Sequence, residues 1–317
     1  MAIRPPILLE GDTIGIVTLG SPLAKEVIDA RIAFLQSMGF KVKLGKYVYS
    51  ADGIVTTSAQ NRAQDLMEMF SDPKVRAIIP SRGGTGVSDI LPYLDYNLIR
   101  KNPKIISGYS DITILSNVLY QLSDLISFQS LLLIDFRPTT PAYNFDQFFA
   151  ATSTLQGRAI DNPPGMPLSH LVPGTVTGPL VGGNLTSYTS SLGTPYEIDT
   201  CGKILIIEEI HEPANTVYRY MAQLRLAGKF SDAAGFIIGE CSECQPAYGE
   251  NFMDVVRNEL VPVGKPILTN LSTAHGRYKA ALPIGACAHL DATNNRLTIL
   301  EPSVSPAQKV HNKTSIS

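Results

Sequence analysis

A chain of 317 residues, 44% hydrophobic and 17% charged, has the composition of a globular protein and is long enough for two domains of ordinary size. Its formal charge of -2 and the lack of a basic patch give no electrostatic case for a nucleic-acid or membrane partner. Residues 1–6 hold no apolar signal core, and the longest purely aliphatic run, Leu131 to Ile134, is far short of a membrane span, so the expected setting is cytoplasmic.

In chain order, Thr13 to Val17 is a short apolar run that predicts a strand. Ser21 and Pro22 follow as a helix start, and apolar residues at Val27, Ile28, Ile32, Leu35 and Met38 predict a helix closed by Gly39. Strands are expected over 40–44 and 75–79, helices over 60–70 and 87–93, and a further strand leads to Ser110. Strands alternating with helices imply a parallel sheet with helices on both faces, and ligands of such sheets sit beyond the carboxyl ends of the strands.

Two turns fall at such ends. The first, Ser81-Arg82-Gly83-Gly84-Thr85-Gly86, lacks the Gly-x-Gly-x-x-Gly pattern and a Walker lysine, so a nucleotide loop is disfavoured. Adjacent glycines also let a backbone amide approach a reacting carbonyl closely, which suits an oxyanion hole. The second turn carries Ser110, where the apolar run Ile105-Ile106 meets Gly108 and a new helical pattern begins. A serine on a tight strand-to-helix turn is held away from the backbone with helix N–H groups behind it, as a nucleophile requires. The strict Gly-x-Ser-x-Gly elbow is absent, because Ile112 stands at the second Gly, and an ordinary helix cap has the same local pattern.

From 137 to 178 the chain is rich in Pro, Gly and Thr around a helix near 145–152, which reads as a domain crossing. The division is therefore 1–138, a linker at 139–174, and 175–317. In the last part strands are expected over 175–181, 203–207, 235–238 and 296–300, a helical face at Val217, Met221 and Leu224, and a loose polar tail from 303. Glu208 and Glu209 end an apolar strand, and His275 lies in a loop before Leu282-Pro283-Ile284-Gly285. Together Ser110, His275 and Glu208 supply a nucleophile, a base for its proton and a carboxylate to orient the base. Cys241 and Cys244 have the spacing of half a zinc or redox site, but Cys201 and Cys287 do not form a second pair. The expectation there is two ordinary thiols and no metal.

Six separated blocks, spread over 9–300, resemble the LD-carboxypeptidases, also called muramoyltetrapeptide carboxypeptidases. They are the opening 9–14 segment; Arg82-Gly83-Gly84; Asn102-Pro103-Lys104 through Gly108-Tyr109-Ser110-Asp111; Gly182-Gly183-Asn184-Leu185; the 205–209 strand end with 219–228; and His275-Gly276 before 282–285. The resemblance implies an α/β fold, with an N-terminal parallel-sheet domain of flavodoxin or amidotransferase type and a smaller β-rich C-terminal domain. It also implies a metal-independent site between the domains and a homodimer. It makes Ser110 the nucleophile, His275 the general base and then acid, and Glu208 the orienting carboxylate in preference to Glu209. The oxyanion hole would be the Asp111 amide plus an amide from Gly83 or Gly84.

The sequence departs from that pattern at Ser127-Phe128-Gln129-Ser130, where many members have an aromatic-His-Gly-Pro stretch, and at Asn215, which replaces a frequent aromatic. Arg82 and Asn184 are candidates to hold a substrate carboxylate; their alternative roles are packing across the turn for Arg82 and capping the next helix for Asn184. The activity implied is cytoplasmic serine carboxypeptidase action on murein peptides, with no cofactor and a small peptide as partner. The alternatives are a relative of the microcin C immunity peptidases, which cleave aminoacyl-nucleotide amides, and a catalytically silent ligand-binding homologue. The absence of Trp disfavours the first, because those enzymes stack their ligand on aromatic rings.

Overall fold

A computed structural model describes residues 2–307; the tail expected to be loose from 303 is instead pinned at its start, where Ser303 and Val304 are buried and Ser305 N–H donates to the Pro5 carbonyl at 2.8 Å, and its part beyond 307 lies outside the described residues. The N-terminal half runs β1 (Thr13–Val17), α1 (Lys25–Ser37), β2 (Lys41–Leu44), α2 (Ala59–Ser71), β3 (Val75–Pro80), α3 (Tyr96–Lys101), β4 (Ile105–Ile106), α4 (Ile112–Ser123) and β5 (Ser127–Gln129). Its first four strands form a parallel sheet in the order β2-β1-β3-β4. The apolar runs bury Ile14, Ile16, Ile78, Ile79 and Ile105 completely, as expected of strands covered on both faces.

Two details differ from the sequence reading. Ser21 does not cap α1, whose cap position is Ala24 with no side-chain bond; the Ser21 hydroxyl instead accepts the Thr85 N–H at 3.1 Å and braces the glycine turn. Residues Val87–Tyr93 form a 3-10 helix because Pro92 lies inside it and supplies no amide for a longer ladder.

The rest of the chain runs α5 (Ala142–Thr152), β6 (Arg158–Ala159), β7 (Ser169–Val172), β8 (Thr175–Asn184), α6 (Leu185–Thr189), β9 (Ile204–Ile210), α7 (Ala214–Leu226), α8 (Lys229–Asp232), β10 (Gly235–Ser242), α9 (Phe252–Leu260), β11 (Ile267–Leu271), β12 (Leu282–Ile284), β13 (Cys287–Asp291) and β14 (Arg296–Ile299). An eight-stranded sheet has the order β6-β14-β13-β8-β9-β10-β11-β7, in which β8 to β11 are mutually parallel and the flanking strands antiparallel. The 139–174 stretch, read from sequence as a crossing, thus contributes both edge strands of this sheet, β6 and β7.

The two halves are stitched together at the site. Strand β5, which within the first half accepts the Gly108 N–H at the Phe128 carbonyl at 3.0 Å, pairs antiparallel with β12 of the second half. On α4, the buried Asn117 amide donates to the Gly182 carbonyl at 3.0 Å and accepts the Gly182 N–H at 2.8 Å. Removing one partner of such a buried pair costs about 1–3 kcal/mol. The unusual 127–130 segment is therefore the strand that joins the halves. Gln129 fills the space beside Gly183, where an added Cβ would come 2.1 Å from Gln129 Oε1.

Candidate active site

Ser110 sits where β4 gives way to α4, with φ of 63°, a left-handed conformation that costs a non-glycine residue free energy. The turn is held by Thr113 N–H donating to the Ser110 carbonyl at 2.9 Å and by the Ser187 hydroxyl donating to the same oxygen at 3.2 Å. The glycine turn packs on it directly: a Cβ at Gly83 would lie 2.7 Å from Ser110 Cβ and 3.0 Å from both Ser110 Oγ and the Asp111 amide nitrogen. A Cβ at Gly84, which has φ of 80°, would meet Ser21 instead, at 2.4 Å. Gly83 is thus the glycine that touches the serine, a choice the sequence left open. The Asp111 carboxylate accepts the Val87 N–H at 2.8 Å and the Ser187 hydroxyl at 3.2 Å, tying both turns to α6. Burial pushes its pKa up.

The paired glutamates separate by the alternation of a strand, which sends successive side chains to opposite faces. Glu208 is fully buried and its Oε2 accepts from His275 Nδ1 at 2.7 Å. Glu209, on the other face, accepts from Thr186 N–H at 2.8 Å, the Thr186 hydroxyl at 2.6 Å, Ile210 N–H at 2.9 Å and the Asn184 amide at 2.9 Å. Burial raises its pKa as well. Asn184 Oδ1 in turn accepts the Ser187 N–H at 3.1 Å, so Asn184 caps α6, one of its two anticipated roles.

His275 is set by neighbours that the sequence analysis did not single out. Its ring meets Tyr109, the residue before Ser110, edge-on at 5.0 Å between centroids. The buried Lys279 ammonium donates to the Ala274 carbonyl and, at 3.0 Å, to the Gly276 carbonyl, while lying 4.6 Å from the centre of the Tyr109 ring. Asn144 holds the same loop from α5, accepting Lys279 N–H at 2.9 Å and donating to the Arg277 carbonyl at 3.1 Å. A Cβ at Gly276 would come 1.7 Å from Glu240 Oε2, so that carboxylate would have to turn aside. The only sequence signal for this support was the glycine after His275.

Ser110 and His275 line two cavities that share Ile210 as a common wall, one of about 610 Å³ containing Ser110 and one of about 400 Å³ containing His275. Among the described residues Ser110 Oγ makes no hydrogen bond, and no three His, Cys, Asp or Glu side chains converge as a metal site needs. Arg82 is half-buried, forms no ion pair among the described residues, and flanks Gly83. Cys241 and Cys244 form a disulfide, in place of the two thiols expected, because the turn brings their Cα atoms to 5.5 Å, within bridging distance. Cys201 and Cys287 are free and exposed.

Beyond the site, the sequence and the fold match known proteins over most of the chain. Residues 14–130 match the LD-carboxypeptidase N-terminal domain and residues 177–290 the LD-carboxypeptidase C-terminal domain. The chain belongs to the LD-carboxypeptidase family, peptidase S66. It is 37% identical to the probable murein peptide carboxypeptidase of Bacillus subtilis, over 95% of each chain. The structure of MccF in complex with glutamyl sulfamoyl guanosine superposes with a TM-score of 0.90 at 26% identity, covering 95% of this chain and 99% of that one. The muramoyltetrapeptide carboxypeptidase of Oxalobacter formigenes gives a TM-score of 0.80 at 26% identity, over 93% and 100%. The two-domain α/β architecture expected from sequence is thus that of the family, and family membership makes the chain a carboxypeptidase-type hydrolase.

Proposed function

We propose that this chain is a serine carboxypeptidase that hydrolyses the amide between an L-configured centre and a terminal D-amino acid of murein peptides. The observation that carries this reading is the 2.7 Å bond from His275 Nδ1 to the buried Glu208, set one residue from the Ser110 turn through Tyr109. With Nδ1–H donated to Glu208, the imidazole presents a basic Nε2, which takes the Ser110 proton as Oγ attacks the scissile carbonyl. The tetrahedral oxyanion then accepts N–H bonds from Asp111 and from the Gly83-Gly84 turn. His275 returns the proton to the leaving amine, an acyl group remains on Ser110, and water attacks it by the same route in reverse.

Support for murein peptides as substrate comes from the relatives named carboxypeptidases of such peptides. In this reading the protein is a cytoplasmic homodimer, Asn184 stiffens the wall beside Ser110, and Arg82 stands near the glycine turn. The second reading is an immunity-type peptidase acting on aminoacyl-nucleotide amides, favoured by the close superposition on MccF. Comparing kcat/KM on an LD-tetrapeptide, its all-L isomer and an aminoacyl sulfamoyl nucleoside separates the two. Dominant hydrolysis of the tetrapeptide supports our proposal, and dominant hydrolysis of the nucleoside replaces it with the second reading.

A further inference from the structure

The two cavities at the site carry opposite charge. The wall around Ser110 bears the carboxylates of Asp89, Asp111, Glu209 and Glu212 and no Lys, Arg or His. The wall around His275 bears Arg137, Arg277 and Lys279, with Asp135 as its one acid.

Lys279 and Asp135 are both buried and lie 3.9 Å apart, and the Asp135 carboxylate accepts the Tyr109 hydroxyl at 3.3 Å. Their charges offset one another and are committed to holding the His275 loop. Arg137 and Arg277 are different. Both are exposed at the mouth of the cavity, and neither forms an ion pair among the described residues. The Arg277 guanidinium rests against the Tyr278 ring at 5.5 Å, which fixes its stem and leaves its N–H edge open.

The direction of the reaction decides which half of the substrate enters here. When the Ser110 Oγ–carbon bond forms and the carbon–nitrogen bond breaks, the proton passes from Ser110 to His275 and then to the departing nitrogen. The leaving group therefore lies on the imidazole side of the nucleophile. We propose that the cavity lined by His275 is the leaving-group subsite, and that Arg137 and Arg277 hold the terminal carboxylate of the departing amino acid. The acyl half then occupies the acidic cavity around Ser110. This rests on the carboxypeptidase reading and adds to it the residues that make the enzyme require a free chain end.

The test pairs enzyme variants with substrate variants. Wild type, Arg137→Ala, Arg277→Ala, the double variant and Arg82→Ala are each assayed on an LD-tetrapeptide and on its C-terminal amide. Exposed Arg–carboxylate pairs are individually weak and bidentate ones stronger, so we expect about fivefold loss of kcat/KM on the free acid for each single variant and about 30-fold for the pair. The loss should appear mainly in KM, rates on the amide should stay unchanged, and inhibition by free D-alanine should weaken in parallel. A double variant that keeps the wild-type preference for acid over amide overturns the inference, as does one that slows on both substrates alike. If the preference disappears in Arg82→Ala alone, the carboxylate is read at the glycine turn instead. Wild type inert on the tetrapeptide rejects the carboxypeptidase reading, and with it this inference, before any variant is measured.

Discussion

Gly83→Ala tests the site geometry most sharply, because the structure sets the size of the effect. The added Cβ would lie 2.7 Å from Ser110 Cβ, whereas carbon atoms keep about 3.5–4.0 Å, so the two turns must separate by about 1 Å. A misplacement of that size at a reacting centre costs about 10²-fold in rate, or about 2.7 kcal/mol of activation free energy. The same methyl lies 3.0 Å from the Asp111 amide and crowds one predicted oxyanion donor. We therefore expect kcat for LD-tetrapeptide hydrolysis to fall at least 10²-fold, measured by D-alanine release, with KM little changed. The thermal transition should move by a few degrees at most, since the change is confined to one turn. A variant within threefold of wild-type kcat, with an unaltered thermal transition, would refute the packing of Gly83 on the nucleophile.

The two glutamates should behave differently on neutralisation. Glu208→Gln should lower kcat by about 10³–10⁴-fold by letting the imidazole adopt the wrong tautomer, and steady-state kinetics beside a melting curve will show it. Glu209→Gln should cost about 1–3 kcal/mol of stability by turning an acceptor for four donors into a group with its own N–H bonds, while leaving kcat within about tenfold. Thiol titration of the native, unreduced protein should find the two free cysteines, Cys201 and Cys287, and reduction should release Cys241 and Cys244 as well; four reactive thiols before reduction would contradict the disulfide. Burial pushes the Lys104 pKa down to about 8 from its ordinary 10.5, so between those values the unfolded chain binds the proton more readily. Stability from this group is then complete above about 10.5 and is lost as pH falls through about 8. Two carbonyl acceptors, of Asp72 and Val75, hold the charged form and moderate the effect to about 1–2 kcal/mol. Denaturation of wild type and Lys104→Met at pH 8 and pH 10 should show this difference shrinking in the variant.

What the sequence made legible was local. The strand–glycine–serine–helix pattern at Ser110 and the doubled glycine at 83–84 each impose a backbone requirement within a few residues. What it left open depends on which face meets which. Alternation alone sends Glu208 and Glu209 apart, but only the packing of β9 between β8 and β10 decides that Glu208 faces the histidine. Gly83 and Gly84 are equivalent in sequence and are distinguished by Ser21, a residue that reads as a helix cap and serves the turn instead. The edge strands β6 and β7 are four residues or shorter and lie in a Pro- and Gly-rich stretch, so a propensity reading takes them for linker. Lys279 and Asn144 are not legible in the sequence, because a buried lysine and a helical asparagine carry no local signature, although both fix the His275 loop.

The central claim is that the acyl group passes through Ser110, and intact-protein mass spectrometry after exposure to a fluorophosphonate reagent tests it most directly. We expect a single stoichiometric adduct that maps to Ser110 on proteolysis, slowed by the LD-tetrapeptide and absent in a folded Ser110→Ala variant. An enzyme that turns over substrate without forming the adduct, or a Ser110→Ala variant that keeps its activity, would contradict the account.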